Sequence, residues 1–151
     1  MPPCAGRQTF TVRNDLSELG RIADELATFD ADGRLPPPVI FAVNLALEEI
    51  ITNAICYGYE DTAEHLIQVE LSMGDQAVIV TVQDDGRAFD PLSAPELDLG
   101  APLEARRVGG LGLSLLRKLT DGVTYARTDG KNVLVFKKWI NPPSDPSSAD
   151  G

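Results

Sequence analysis

Three groups of residues could do chemistry, and each stands on a helix face or at the end of an element. The first is Glu49 and Asn53, within the stretch Leu45–Tyr59 that reads LALEEIITNAICYGY. Apolar residues at Leu47, Ile50, Ile51, Ala54 and Ile55 follow the i, i+3, i+4, i+7 spacing of a helix with one buried face. Glu49 and Asn53 are four apart, so they stack on one side of that helix. An amide oxygen there can ligate Mg²⁺ while the carboxylate accepts a proton nearby. Taken alone, the pair is more often two side chains pointing at water on an amphipathic helix.

The second group is Asp84-x-Gly86, at the end of a predicted strand. A carboxylate there can accept a hydrogen bond from an exocyclic amine, and a glycine lets a flat ring approach the backbone. By itself, D-x-G is also an ordinary turn. The third is Gly109-Gly110-Leu111-Gly112, opening a predicted helix. Free N–H groups at a helix start favour anions, and glycines remove the Cβ atoms that would block phosphates. The run is not a Walker motif, because no Gly-Lys-Ser/Thr follows, and no strand leads directly into it as a dinucleotide fingerprint requires. Alone it also reads as a flexible linker. The order of the three groups describes a nucleotide: a metal ligand and a base, then a ring reader, then a phosphate cradle.

These groups need elements to position them. Gln8–Arg13 alternates polar and apolar residues and reads as a first strand. Asn14 or Asp15 is placed to cap a helix over Asp15–Phe29, with Glu18 in position for a capping interaction. The loop Asp30–Pro38 holds three prolines, the last of which suits the start of the next helix. That helix carries Glu49 and Asn53 and ends near Tyr57, with Gly58 as its C-cap. Strands over Leu66–Ser72 and Ala77–Gln83 follow, turning through Met73–Gln76. Leu92–Val108 lacks periodicity and reads as a long mobile lid. A third helix runs from the glycines to about Thr120 and is ended by Gly122. Strands Val123–Arg127 and Asn132–Lys138 close a hairpin about Asp129-Gly130. The expected fold is α+β, a two-layer sandwich with a mixed, mostly antiparallel sheet and three main helices on one face. Residues 1–6 read as a flexible end, 7–140 as one domain, and 141–151 as a disordered tail rich in Pro, Ser and Asp.

Composition narrows the partners. The chain has 151 residues and a formal net charge of −10, which argues against nucleic acid and anionic membrane. No apolar run is expected to reach the roughly 20 residues of a membrane span. The N-terminus lacks a basic-then-apolar signal pattern, so a cytoplasmic location is expected. Two widely spaced cysteines and one histidine make neither a disulfide framework nor a zinc site of usual spacing.

At this point the chain resembles a known family. Glu49-x-x-x-Asn53-Ala54 resembles the N box of the GHKL ATPase superfamily (the Bergerat fold), Asp84-x-Gly86 its G1 box, and Gly110-Leu111-Gly112-Leu113 its G2 box. The runs Val82–Pro91 and Gly130-Lys131-Asn132-Val133-Leu134 resemble the anti-sigma regulatory factors, the serine kinases of bacterial partner-switching systems. The resemblance spans about Phe10 to Lys138. It implies ATP and Mg²⁺ as cofactors. It implies Asn53 as the metal ligand, Glu49 as general base on a serine hydroxyl, Asp84 on the adenine amine and Gly86 admitting the ring. Gly109, Gly110 and Gly112, in a segment that includes Leu111 and Leu113, would offer N–H groups to the phosphates. Arg106 or Arg107 would reach the γ-phosphate. Implied partners are a STAS-type anti-anti-sigma protein, a sigma factor and a second copy of the chain. Two departures stand out: Ala88 replaces a second glycine of the G1 box, and Tyr57 replaces a histidine frequent after the N box. His65 lies far from any phosphoacceptor helix, so a histidine kinase is not expected. Two alternatives stay open: a nucleotide-gated binding module without kinase activity, and an interaction domain that has lost the nucleotide.

Overall fold

The computed structural model of the chain describes residues 6–88 and 116–141. Five strands form one sheet: β1 (Arg7–Arg13), β2 (Leu66–Met73), β3 (Ala77–Asp84), β4 (Gly122–Thr128) and β5 (Lys131–Trp139). Their order is β1-β2-β3-β5-β4. Every pairing among the described residues is antiparallel, where a mixed sheet was expected. Two helices, α1 (Gly20–Phe29) and α2 (Pro37–Tyr57), pack on the sheet, and residues 116–119 are helical as well.

Period-two alternation makes the sheet. Ile67, Val69 and Leu71 of β2 and Val78, Val80 and Val82 of β3 are buried toward the helices, while Ile79 lies on the other face. Leu134 and Phe136 of β5 continue the same buried face. Against it lie Ile22 and Leu26 of α1 and Val43, Leu47 and Ile51 of α2, all essentially inaccessible to solvent. Each such side chain contributes roughly 1.5–3 kcal/mol on burial. This packing, rather than propensity, holds α2 in place.

α2 is 21 residues long and holds an 18-residue window with a mean hydropathy of 1.7, so it is long and apolar enough to cross a membrane by length and composition. That corrects the expectation that no such run exists. Here the apolar character serves the core, where seven α2 residues are buried. The helix starts one proline earlier than expected, with Pro36 as its N-cap and Pro37 in the first turn, where a missing N–H costs nothing.

Two other boundaries differ from expectation. The segment 15–29 divides into a 3-10 turn, Leu16–Leu19, and α1. Gly20 at the junction is a weak helix former. Asp15 caps the turn by accepting the N–H of Ser17 at 3.0 Å. Gly122 does not end the third helix but begins β4; the helical segment stops at Leu119 and Thr120 turns back to hydrogen-bond Leu116 O. The β4–β5 turn has φ of +52° at Asp129 and +76° at Gly130, the paired positive values a two-residue hairpin needs.

Glu18 is buried and ties this entry segment together. Its carboxylate accepts the backbone N–H and the Nε–H of Arg13, each at 3.0 Å, and a bond from Arg21 at 3.2 Å. The Arg13 N–H, then the guanidinium hydrogen bond, hold its pKa down to about 2. Because the folded state favours the ionised form, its stabilisation is complete above the ordinary glutamate range. It is lost as pH falls toward 2. Glu18→Gln is therefore expected to lower the melting temperature at neutral pH. Thermal melts of variant and wild type should converge as pH approaches 2.

Candidate functional site

The site is built where the C-terminal end of α2 meets the turn after β3. Helix C-termini leave carbonyls without partners. Here Gly58 N–H donates to Ala54 O at 2.9 Å, Arg87 N–H to Gly58 O at 2.8 Å, and Arg87 Nε–H to Tyr57 O at 2.7 Å. A guanidinium at this end also opposes the negative pole of the helix.

The backbones approach too closely for side chains. A Cβ on Gly86 would lie 2.6 Å from Gly58 O, and one on Gly58 would lie 2.5 Å from Ala54 O. Gly58 is the C-cap expected, but with φ of −86°, so space rather than left-handed geometry requires glycine there. For Gly86 the same helix terminus supplies a packing reason for glycine, independent of any ligand.

Asp84 sits above this seam. Its Oδ1 accepts the N–H of Gly86 and an Nδ2–H of Asn132, both at 2.9 Å. Oδ2 has no hydrogen-bond partner among the described residues. The sheet order explains the Asn132 contact: the chain leaves β3, returns at the edge as β4, and comes back as β5 beside β3, where Asp84 and Asn132 are register partners. Asn132 is buried, and its Nδ2 also donates to Arg87 O at 2.8 Å. Tyr125 donates its hydroxyl to Asn132 Oδ1, and Arg127 Nη1–H donates to Gly86 O at 2.7 Å.

On α2, Glu49 Oε2 and Asn53 Oδ1 are buried oxygens with no hydrogen-bond partner among the described residues. Buried acceptors without donors are costly and call for an explanation. Burial, and then the charge of Glu48, push the Glu49 carboxyl above its ordinary pKa. Both features suit groups facing a cation or a proton donor that the described residues do not supply.

Beside Asp85, the ring of His65 stacks on Tyr59 with centroids 4.2 Å apart. Its Nε2 lies 2.8 Å from Asp61 Oδ1 and its Nδ1 3.3 Å from Asp85 Oδ1. The Asp61 hydrogen bond, more than the charges of Asp61 and Asp85, raises the His65 pKa. Burial is the main cause of a raised pKa at Tyr59, followed by the Asp84 and Asp85 charges.

The structure thus sets the C-terminal end of the helix that carries Glu49 and Asn53 against the turn that follows Asp84. Arg106, Arg107, Gly109, Gly110, Leu111, Gly112 and Leu113, with the expected lid, lie outside the described residues. Sequence reasoning missed Tyr125, Asn132 and Arg127 as site residues. Asn132 lies in the Gly130–Leu134 run that carries part of the family resemblance, and Tyr125 and Arg127 lie in the predicted hairpin, but nothing local in sequence says that β5 lies beside β3.

The described residues form an α+β sandwich in which a carboxylate is clamped at the end of β3 and the turn after it packs on the end of the long helix α2. The chain belongs to the histidine kinase-like ATPase domain family, whose model matches residues 12–138. It is 32% identical over 103 residues to the serine-protein kinase RsbW of Listeria monocytogenes serovar 1/2a, a match covering 66% of this chain and 65% of that protein. It is 28% identical over 104 residues to the serine/threonine-protein kinase BtrW of Bordetella bronchiseptica, covering 69% and 73%. An anti-sigma F factor of Clostridium perfringens is 25% identical over 100 residues, covering 66% and 71%. The chain therefore spans just under two thirds of the Listeria kinase's length. Among solved structures, the RsbU and RsbW domains of Rv1364c from Mycobacterium tuberculosis superpose with a TM-score of 0.62 at 16% identity, over 91% of this chain and 33% of that one. That likeness shows the fold.

Gly86→Ala tests the seam. The forced contact with Gly58 O is expected to destabilise the fold by about 1–3 kcal/mol. Equilibrium urea unfolding measures it, and a variant as stable as wild type would contradict the packing argument.

Proposed function

We propose that the chain is an ATP-dependent serine protein kinase of the partner-switching kind. It would phosphorylate a STAS-type anti-anti-sigma protein and, when that partner is released, hold a sigma factor. The observation that carries the reading is the pair of buried, unpartnered oxygens of Glu49 and Asn53 on one helix. Family membership and the printed names of the relatives support it. The net charge of −10 favours protein over nucleic-acid partners. Action in the cytoplasm, as a homodimer, belongs to the same reading.

The residues divide the work. Asp84 would accept the adenine amine through Oδ2, the oxygen that Gly86 and Asn132 leave open. Asn53 Oδ1 fits a hard cation, which prefers neutral and anionic oxygen donors. Mg²⁺ held there would neutralise phosphate charge. Glu49 would take the proton of the attacking serine hydroxyl as its oxygen bonds the γ-phosphorus and the bond to ADP breaks. Phosphoryl transfer asks chiefly for such positioning and charge balance. A raised Glu49 pKa makes the carboxylate a better proton acceptor near neutrality.

The test separates binding from transfer. Glu49→Gln is expected to bind Mg-ATP almost as wild type does while losing about 10²–10⁴-fold in transfer rate. Asn53→Ala is expected to weaken Mg-ATP binding itself. In wild type, only ionised Glu49 can accept the proton, so the transfer rate should fall as pH drops through a point above the ordinary glutamate range. Calorimetry and single-turnover phosphorylation read these out. Equal transfer by Glu49→Gln and wild type would remove Glu49 as the base.

A further inference from the structure

We infer that Tyr125 and Asn132 form a positioning relay that makes Asp84 read the purine's 6-position, selecting an exocyclic amine over a 6-oxo group. The inference deepens the nucleotide reading of the same site and rests on it.

The chemistry of the partners sets the orientation of the Asn132 amide. Two groups face one end of it, the Asp84 carboxylate at 2.9 Å and the Arg87 carbonyl at 2.8 Å. Both are acceptors, so that end must be the NH₂. The other end is then the carbonyl oxygen, and it receives the Tyr125 hydroxyl proton. The three residues thus form a directional chain, Tyr125 to Asn132 to Asp84, with no freedom to reverse unless two acceptors meet. The amide is buried, so losing one of its partners is costly.

The consequence falls on Asp84. Two N–H donors, from Gly86 and Asn132, converge on Oδ1. They occupy Oδ1 and leave Oδ2 as an acceptor with no partner among the described residues. An acceptor-only group rewards a ligand amine and repels a ligand carbonyl. Tyr125 and Asn132 do not touch the base in this account; they act through Asp84. The sheet order makes the relay available, since it alone sets the start of β5 against the end of β3.

The experiment measures ATP and ITP affinities by calorimetry for wild type, Tyr125→Phe and Asn132→Asp, the last being isosteric but lacking the donors. Wild type should prefer ATP over ITP by roughly 10- to 100-fold, the worth of a hydrogen bond to a charged group. Both variants should bind ATP more weakly, with ITP affinity unchanged or improved, so the ratio shrinks. A general loosening of the fold would weaken both nucleotides together and leave the ratio standing, which would overturn the relay. If Asn132→Asp fails to fold by circular dichroism, Tyr125→Phe, which removes a single oxygen, decides alone. Absence of ATP binding by wild type would instead overturn the nucleotide reading on which the inference stands.

Discussion

The contact on which the site depends is between two backbones, at Gly58 and Gly86. The last turn of α2 and the turn after β3 come so close that Gly86 cannot carry a Cβ, which would meet Gly58 O, while Gly58 lacks room against Ala54 O of its own helix. Arg87 closes the gap by giving its N–H and its Nε–H to the helix-end carbonyls. Those carbonyls would otherwise be orphaned, so one residue of the turn both caps the helix and pins the loop. The helix that carries Glu49 and Asn53 is thereby held against the strand end that carries Asp84. Small errors of placement are costly in phosphoryl transfer, where positioning is most of the catalysis.

The sheet supplies the second constraint. An order of β1-β2-β3-β5-β4 puts a hairpin strand between β3 and the edge. Antiparallel pairing then brings the first residues of β5 to the last residues of β3. Asn132 and Arg127 reach the Asp84–Gly86 turn from that side, while Arg87 reaches α2 from the other. The turn is held from both flanks, and Oδ2 of Asp84 keeps no hydrogen-bond partner among the described residues. The acidic surroundings, with Asp85 and Asp61 on either side of His65, place negative charge around one mouth of this region.

Much of this was legible in the sequence because local signals and tertiary demands agree. The alternation in β2 and β3, the Asp129-Gly130 turn and the stripe of α2 each report their own environment, so residue pattern alone located them. Glu49, Asn53, Asp84 and Gly86 were singled out through type and order. What escaped depends on partners distant in sequence. Asn132 stands in a run that resembles the family, but its contact with Asp84 is not visible until β5 is known to lie beside β3. Gly86 reads as a ligand-facing glycine until the carbonyl of Gly58 is seen against it. Gly122 was misread as a helix stop because glycine punctuates both helix ends and strand starts. The all-antiparallel pairing escaped for the same reason as Asn132, since strand direction is a property of pairs.

Under the proposed function, the α2–Asp84 seam would be the working half of a kinase rather than an ATP-holding scaffold. The direct measurement is mass spectrometry of a STAS-domain protein encoded in the same genome, after incubation with this chain and Mg-ATP. The account predicts one added phosphoryl group on a serine, with ADP formed in equal amount. An unmodified STAS protein, under conditions where calorimetry shows the chain saturated with Mg-ATP, would contradict it.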